Sequence, residues 1–239
     1  MSERLKDKVV LVTGSSRGLG KIIAGRFLEE GAKVIITGQK SDELDQAAEE
    51  LRQASDLFIE VVADITDDTQ AKKLVDSAVE KYGRIDILVN NAGVFKGGEI
   101  DQMEVKDIEL SFKVNVIGAF LVTRHAVAQM KKQKSGQIIN ICSIGSTLGL
   151  EKLSAYCASK AALARFGDSL KAELKPHNIR VTNVMPHAMN TMGKDIEPDS
   201  DDRRQMIEPE DVADALIMVT SSKEYVQYQD ITIFPKSTK

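Results

Sequence analysis

Tyr156 and Lys160 have the residue types and the spacing for proton transfer, because they lie four positions apart in a segment predicted to be helical. Residues i and i+4 share one face of a helix, so the phenol and the ammonium would lie side by side. A tyrosine is ordinarily only about one part in a thousand phenolate at neutral pH. A neighbouring cation in a partly desolvated site favours the phenolate, and we expect it to lower the pKa of Tyr156 enough for general acid–base chemistry. Taken alone, this spacing is too common to indicate an activity.

Two further polar side chains could assist such a pair. Ser143 lies at the end of the fifth predicted strand, where its hydroxyl would hydrogen-bond a substrate oxygen. Asn115 lies midway along a predicted long helix, where it would hold a water molecule near Lys160. The candidate catalytic residues are therefore Asn115, Ser143, Tyr156 and Lys160.

A glycine-rich loop follows the first predicted strand and reads Thr13-Gly-Ser-Ser-Arg-Gly-Leu-Gly20. Glycines permit positive φ angles and close approach of a ligand, and the free N–H groups of the following helix favour a pyrophosphate. The alternative is a tight turn that only packs the helix against the strand. The position of the glycine loop at the first strand–helix junction favours a dinucleotide site. The loop residues expected to contact it are Gly14, Ser16, Arg17, Gly18, Leu19 and Gly20.

The end of the second predicted strand decides which dinucleotide is preferred. An acid there would bind the ribose 2′-hydroxyl, whereas a basic side chain would accept a 2′-phosphate. This chain has Gly38, Gln39 and Lys40, and no carboxylate before Asp42. We expect Arg17 and Lys40 to converge on a phosphate, so the cofactor would be NADP(H) in preference to NAD(H). The alternative is that both cations are simply solvated.

The elements that must position these residues alternate between two patterns. Seven runs rich in Val and Ile predict strands, and the segments between them have helical period. The strands are predicted at 9–13, 33–38, 58–64, 85–90, 137–143, 180–185 and 231–234, and helices at 18–30, 42–52, 67–82, 105–132, 153–174 and from Pro209 onward. Buried strands separated by helices predict an α/β fold, a doubly wound and mostly parallel sheet. We expect one domain over residues 1–239, with a mobile substrate flap at 188–206.

The composition excludes several classes of protein. The 239 residues are 42% hydrophobic and 28% charged, which is ordinary globular usage. A formal charge of -4 without a basic segment argues against nucleic acid as a partner. With two cysteines, a charged start and no apolar run of about 20 residues, we expect a cytoplasmic protein with no membrane partner.

Taken together and in this order, the motifs resemble the short-chain dehydrogenase/reductase family over nearly the whole chain. The resemblance implies a Rossmann-like sheet of seven strands, an Asn-Ser-Tyr-Lys tetrad on the four candidate residues, and no metal. It also implies a homodimer or homotetramer built on the two long helices. The further cofactor contacts that it implies are Asp64 at the adenine, Ile65, Asn91, Ala92, Gly93, Tyr156, Lys160, Pro186, and Thr191 at the nicotinamide amide.

The function implied is that of an NADPH-dependent carbonyl reductase or alcohol dehydrogenase acting on a small ketone, aldehyde or 3-oxoacyl compound. Two departures limit the resemblance to acyl-carrier-protein reductases: the carboxyl end lacks their glycine-rich segment, and Ala172 stands where a basic carrier contact would be. His187 replaces a glycine usual in the family, either as a cofactor-loop residue or as a pocket residue. The alternatives are an NADP-binding regulator without turnover and a scaffold protein that binds no nucleotide.

Overall fold

A seven-stranded sheet forms the centre of the computed structural model, which describes residues 3–189 and 206–236. The strand order is β3-β2-β1-β4-β5-β6-β7, and all six neighbouring pairs are parallel. The predicted doubly wound α/β fold is therefore confirmed. The strands are β1 (Val9–Val12), β2 (Lys33–Gly38), β3 (Phe58–Val62), β4 (Ile87–Asn90), β5 (Gly136–Ile141), β6 (Ile179–Pro186) and β7 (Asp230–Ile233).

Helices cover both faces of this sheet because its central strands are apolar on both sides. Val10 and Val12 of β1 belong to one buried cluster, whereas Val9 and Leu11 belong to the other. Alternate side chains of a strand point to opposite faces, so one short run supplies two cores. The helices are α1 (Gly18–Glu29), α2 (Ser41–Arg52), α3 (Asp68–Tyr82), α4 (Val105–Phe112), α5 (Ala119–Gln133), α6 (Ser154–Leu174) and α7 (Pro209–Thr220).

The strand order reverses direction at β1, which lies between β2 and β4. Connections leave β1 and β4 toward opposite sides at this point, so a crevice opens beyond their carboxyl ends. The glycine loop after β1 and the Asn90–Gly93 segment after β4 both lie at that edge. The topology therefore places the two predicted cofactor motifs next to each other.

The long helix predicted over 105–132 is continuous, but its middle is a π-helical turn and not α-helix. A π-helical turn, Lys113–Gly118, separates α4 from α5 and contains Asn115. The buried Asn115 side chain is bonded to the backbone of Val94, 21 residues away. A wider turn of this kind occurs mostly as a local insertion in an α-helix, and frequently at a functional site.

Asp67 caps α3, since the Gln70 N–H donates to its Oδ1 at 2.8 Å. Residues 190–205, most of the predicted flap, lie outside the described residues. Within 3–189 and 206–236, no helix combines the length and the apolar character needed to cross a bilayer.

Candidate active site

A cavity of about 600 Å³ opens beyond the carboxyl ends of β4, β5 and β6. Helix α6 begins beside it, and the glycine loop borders it on the other side. Seven of the predicted site residues lie on its wall: Leu19, Asn91, Gly93, Ser143, Tyr156, Lys160 and Pro186. Three of the four predicted catalytic residues thus share one space with part of the predicted cofactor site, and the fourth, Asn115, is fully buried.

The position of α6 depends on a close approach to β6. A side chain at Gly167 would collide with the Asn183 Oδ1, and the Asn183 Nδ2 donates to the Ala164 carbonyl of α6 at 3.1 Å. Gly167 lies seven residues beyond Lys160 on the same helix, so this contact holds the helix that carries the candidate catalytic pair. Only a glycine fits there without displacing the amide.

A row of side-chain amides crosses the sheet just below the cavity. Asn90, Asn140, Asn183 and Asp230 occupy matching register positions on β4, β5, β6 and β7. Each amide donates to the next: Asn90 to Asn140 at 3.0 Å, Asn140 to Asn183 at 3.1 Å, and Asn183 to Asp230 at 3.1 Å. Buried polar groups are costly unless they are bonded, so this row fixes the strands against one another.

Tyr156 does not have the electrostatic environment that its spacing from Lys160 predicts. Burial raises the pKa of the Tyr156 phenol above its usual value, and a hydrogen bond with Ser143 only partly opposes this effect. The ring packs edge-on against Phe95 with 4.9 Å between centroids, which adds to the desolvation. The prediction of a lowered pKa is therefore wrong for the protein by itself.

The reason lies in what the Lys160 ammonium contacts. Its Nζ donates to the Ile141 carbonyl at 2.7 Å, and burial lowers the pKa of Lys160. Two groups on one helix face are close, but desolvation here outweighs any attraction between the ammonium and a phenolate. In the protein by itself, burial therefore disfavours the charged form of each side chain.

Both ends of the Asn115 side-chain amide bond protein groups. Its Oδ1 accepts from the Val94 N–H at 2.7 Å, and its Nδ2 donates to the Val94 carbonyl at 3.0 Å and the Ser159 hydroxyl at 2.9 Å. A Cβ built on Gly93 would lie 3.2 Å from Asn115 Oδ1 and 3.4 Å from Lys160 Nζ. Asn115 therefore anchors the segment that faces Lys160, and its role in holding a water molecule stays a prediction.

Ser143 follows β5 and is held in an extended conformation by a short capping arrangement. Its Oγ accepts from the Gly145 N–H at 3.1 Å, while its own N–H donates to the Ser146 Oγ at 3.2 Å. These bonds fix the side chain, whose hydroxyl also forms the hydrogen bond with Tyr156. A substrate oxygen placed between the two hydroxyl groups could replace that bond by accepting from both.

The glycine loop fits the pyrophosphate of a dinucleotide. Gly14 has a φ of 63°, and a Cβ there would lie 2.7 Å from the Ala92 Cα. A Cβ on Gly20 would collide with the Gly14 carbonyl and the Asn91 amide. Arg17 precedes α1 without a side-chain cap, and the first turn of α1 carries no acid, so the helix dipole favours an anion.

Thr13 ties the Asn90–Gly93 segment to this loop. Its Oγ1 accepts from the N–H groups of Asn91 and Ala92, both at 3.0 Å. In return the Asn91 Nδ2 donates to the carbonyls of Thr13 at 2.9 Å and Gly14 at 3.1 Å. The two predicted cofactor motifs are thus one bonded unit.

At the end of β2, the two cations predicted to bind a 2′-phosphate do converge, but on a carboxylate. Lys40 Nζ lies 2.8 Å from one oxygen of Glu43, and Arg17 Nη1 lies 3.6 Å from the other. Glu43 is not among the predicted site residues. Its three-residue spacing from Lys40, which immediately precedes α2, is a sequence signal for that pair, but nothing in the sequence indicates the contact with Arg17.

The predicted adenine end lies beside β3. Burial acts to raise the pKa of Asp64, but hydrogen bonds from Thr66 and Gln39 prevail and lower it, with a smaller contribution from Lys113. Ile65 is buried against Gly118 of the π-helical turn, where a Cβ would lie 2.7 Å from its Cδ1. Thr191, predicted to hold the nicotinamide amide, lies outside the described residues.

The rest of the cavity wall is mostly apolar. It comprises, among others, Val94, Phe95, Ile144, Leu150, Leu153, Met189 and Met206. His187 also borders it; its N–H donates to the Ile233 carbonyl at 2.9 Å and its ring lies 5.3 Å from that of Phe234. Apart from that imidazole, Lys160 is the one ionisable basic side chain on the part of the wall that the structure describes.

The chain is similar to known oxidoreductases over most of its length. The family model described as "short chain dehydrogenase" matches residues 8–201. An uncharacterised oxidoreductase from Staphylococcus saprophyticus is 33% identical over 233 residues, which are 97% of this chain and 98% of the relative.

Two solved structures resemble the chain along nearly its full length. One is a metagenomic short-chain oxidoreductase in complex with NADP, with 28% identity and a TM-score of 0.84, covering 98% of this chain and 100% of that one. The other is an alcohol dehydrogenase from the archaeon Thermococcus sibiricus complexed with 5-hydroxy-NADP, with 20% identity and a TM-score of 0.86, covering 97% and 98%. At that lower identity the second likeness shows the fold alone.

Proposed function

The chain belongs to the short-chain dehydrogenase family of oxidoreductases, and we propose from this premise that it is an NADPH-dependent carbonyl reductase. The observation that carries the proposal is that Ser143, Tyr156 and Lys160 line one mostly apolar cavity, which the glycine loop borders. A nucleotide-binding regulator or a scaffold does not need a half-buried phenol that is bonded to a serine beside a buried lysine.

In this mechanism, Ser143 and Tyr156 hold the carbonyl oxygen of the substrate. When bound, NADPH would supply the hydride, and we assign its binding to the glycine loop together with Asn91, Gly93 and Lys160. Tyr156 gives its proton to the oxygen as negative charge develops there. Lys160 then steadies the phenolate, and we propose that the proton is replaced through Lys160 and a water molecule held at Asn115.

The pKa of Tyr156 supports the direction of reduction. Burial keeps the phenol protonated, and a protonated phenol is the form that can act as the acid. The oxidation of an alcohol needs the phenolate instead, which burial disfavours. We therefore propose that oxidation of an alcohol needs a higher pH than reduction of a carbonyl.

The cavity wall supports a neutral substrate. Its described side chains are chiefly aliphatic or aromatic, and they place no arginine or carboxylate beside the reacting groups. A pocket of this kind binds apolar groups and uses a few polar atoms to orient the ligand. A small ketone, an aldehyde or a 3-oxoacyl compound without a free acid group fits it best.

Preference for NADPH is supported by the two cations at the end of β2. Arg17 and Lys40 offer positive charge where a 2′-phosphate would lie, although Glu43 now lies between them. The structure of the metagenomic relative contains NADP, in agreement with this assignment.

The reaction is proposed to take place in the cytoplasm, as the sequence predicts.

A panel of neutral and acidic carbonyl compounds, assayed with NADPH and with NADH side by side, tests the proposal. We expect carbonyl-dependent oxidation of NADPH, faster than that of NADH, with the neutral compounds turned over best. Tight NADPH binding without turnover of any compound would favour the regulator instead. A protein whose melting temperature rises with neither nucleotide would be a scaffold, because a bound ligand must stabilise the fold.

A further inference from the structure

We infer that Glu43 competes with the 2′-phosphate of the cofactor for Arg17 and Lys40, and so sets how strongly the protein prefers NADP(H) over NAD(H). The inference rests on the proposed function, because it assumes that a nicotinamide dinucleotide binds at the glycine loop. Arg17 and Lys40 alone would increase the preference for NADP(H), and the inference adds Glu43 as a residue that limits this preference.

Glu43 already occupies the place between the two cations. One carboxylate oxygen is 2.8 Å from Lys40 Nζ and the other is 3.6 Å from Arg17 Nη1. The hydrogen bond to Lys40 lowers the pKa of Glu43 despite partial burial, and Arg17 contributes further, so the carboxylate is charged at neutral pH. A single anion therefore joins one cation from the glycine loop to one from the end of β2.

The position of this arrangement is set by the backbone. The Ser15 N–H donates to the Thr37 carbonyl at 2.9 Å, and the Thr37 N–H donates to the Ser15 hydroxyl at 2.8 Å. A Cβ on Gly38 would lie 3.0 Å from Ser16. The loop that carries Arg17 is thus fixed against the end of β2, which is where a Rossmann fold discriminates between the two ribose substituents.

A purely structural role explains only part of these contacts. An acid in the first turn of α2 interacts favourably with the helix dipole, and Lys40 and Glu43 form an ordinary pair three residues apart. Asp42 lies in the same first turn and satisfies the dipole equally well. Neither effect accounts for the approach of Arg17, which comes from a different loop.

The exchange is physically accessible because the pairs are exposed. The Arg17 and Lys40 side chains are 81% and 68% solvent-exposed, so each ion pair with Glu43 contributes little to stability. A phosphate monoester carries about 1.5 to 2 negative charges at neutral pH and can replace the carboxylate at both cations. The displaced carboxylate stays nearby and repels the phosphate, which weakens binding of the phosphorylated cofactor.

Calorimetric titration with two nucleotide fragments tests this inference without any need for turnover. Adenosine 2′,5′-bisphosphate carries the discriminating phosphate, and adenosine 5′-monophosphate lacks it. The proteins are wild type, Glu43→Gln, and Asp42→Asn as the control, since the control removes the same charge one residue away. Glu43→Ala is included as a second variant, because the glutamine introduced by Glu43→Gln could itself hydrogen-bond Arg17 or Lys40.

We expect Glu43→Gln to tighten binding of the bisphosphate by roughly threefold to tenfold, and to change binding of the monophosphate by less than about twofold. Asp42→Asn should give less than half of that gain. Unchanged or weaker bisphosphate binding in both Glu43 variants would overturn the inference while the proposed cofactor stands. An equal gain from Asp42→Asn would overturn it as well, because the effect would then be general. If wild type binds neither fragment, the proposed function fails together with the inference.

Discussion

Lys160 is buried and Tyr156 is half-buried, and the site disfavours the charged form of each. Burial lowers the pKa of Lys160 and raises that of Tyr156, so each group costs free energy when it ionises. Ionisable groups with perturbed pKa values collect at active sites because catalysis needs them there. We therefore expect that the buried Lys160 lowers the stability of the folded protein.

Replacing Lys160 with methionine tests that cost. Because the pKa of Lys160 is lowered on folding, the folded chain binds its proton less tightly than the unfolded chain does. Wild-type stability should then rise with pH, from the lowered pKa up to the usual value near 10.4, as the penalty disappears. We expect Lys160→Met to melt above wild type at pH 7, by roughly 2–4 °C for each kcal/mol of penalty removed. The difference should shrink as the pH approaches 10.

Thermal melts of both proteins between pH 7 and pH 10 supply the measurement. Lys132→Met, at an exposed position near the end of α5, serves as the control and should alter the melting temperature little at any pH. The bond lost to the Ile141 carbonyl affects the size of the difference but not its decline with pH. A difference that grows toward pH 10 would contradict the account of Lys160.

Among the elements, α6 carries the catalytic pair and is held by the contact of Gly167 with Asn183. The Gly167→Ala variant would place a methyl group against the Asn183 Oδ1. We expect it to lose about 1–3 kcal/mol of stability, as overpacked sites do, and to lower kcat because Tyr156 and Lys160 shift with the helix.

Denaturant unfolding and steady-state kinetics measure the two effects. Gly25→Ala in α1 is the matched control, since its added Cβ would meet only the Leu51 side chain, at 3.3 Å. An alanine is favoured over a glycine inside a helix, so the control should be neutral or slightly stabilising. Equal stability and kcat in the two variants would show that the α6 contact does not position the pair.

The sequence predicts those features of the fold and the site that neighbouring residues determine, but not those that depend on contacts between distant residues. The seven strands and the glycine loop follow from neighbouring residues, such as the Val and Ile runs and glycines that alone fit the turn. The π-helical turn does not, because Asn115 is held by Val94, far away in sequence. The same holds for the pKa of Tyr156, which depends on packing against Phe95, and for Glu43, whose contact with Arg17 comes from another loop.

For the whole molecule, an apolar surface on α4–α6 supports the proposed homodimer or homotetramer. Phe120 is 43% exposed and its ring stacks on that of Phe166, with 3.6 Å between centroids. Leu110, Phe112 and Ile117 are exposed on the same run of helix. Adjacent exposed apolar groups of this kind mark interaction surfaces.

Light scattering coupled to size exclusion measures the assembly directly. We expect wild type to have two or four times the chain mass of 26.2 kDa, and Phe120→Glu to shift toward that single-chain mass because an unpaired charge would be buried. Leu57→Glu, at an exposed apolar position beside β3, should leave the assembly intact. A wild-type protein of one chain mass would contradict the proposed oligomer.

The most direct test of the central claim is Tyr156→Phe, assayed with the best carbonyl substrate of the panel. Phenylalanine keeps the ring beside Phe95 and removes only the hydroxyl that Ser143 contacts. If Tyr156 is the proton donor, turnover should fall by about 10²–10⁴-fold. NADPH affinity, measured by calorimetry, should stay nearly intact. Turnover close to that of wild type in a variant that binds NADPH normally would contradict the account.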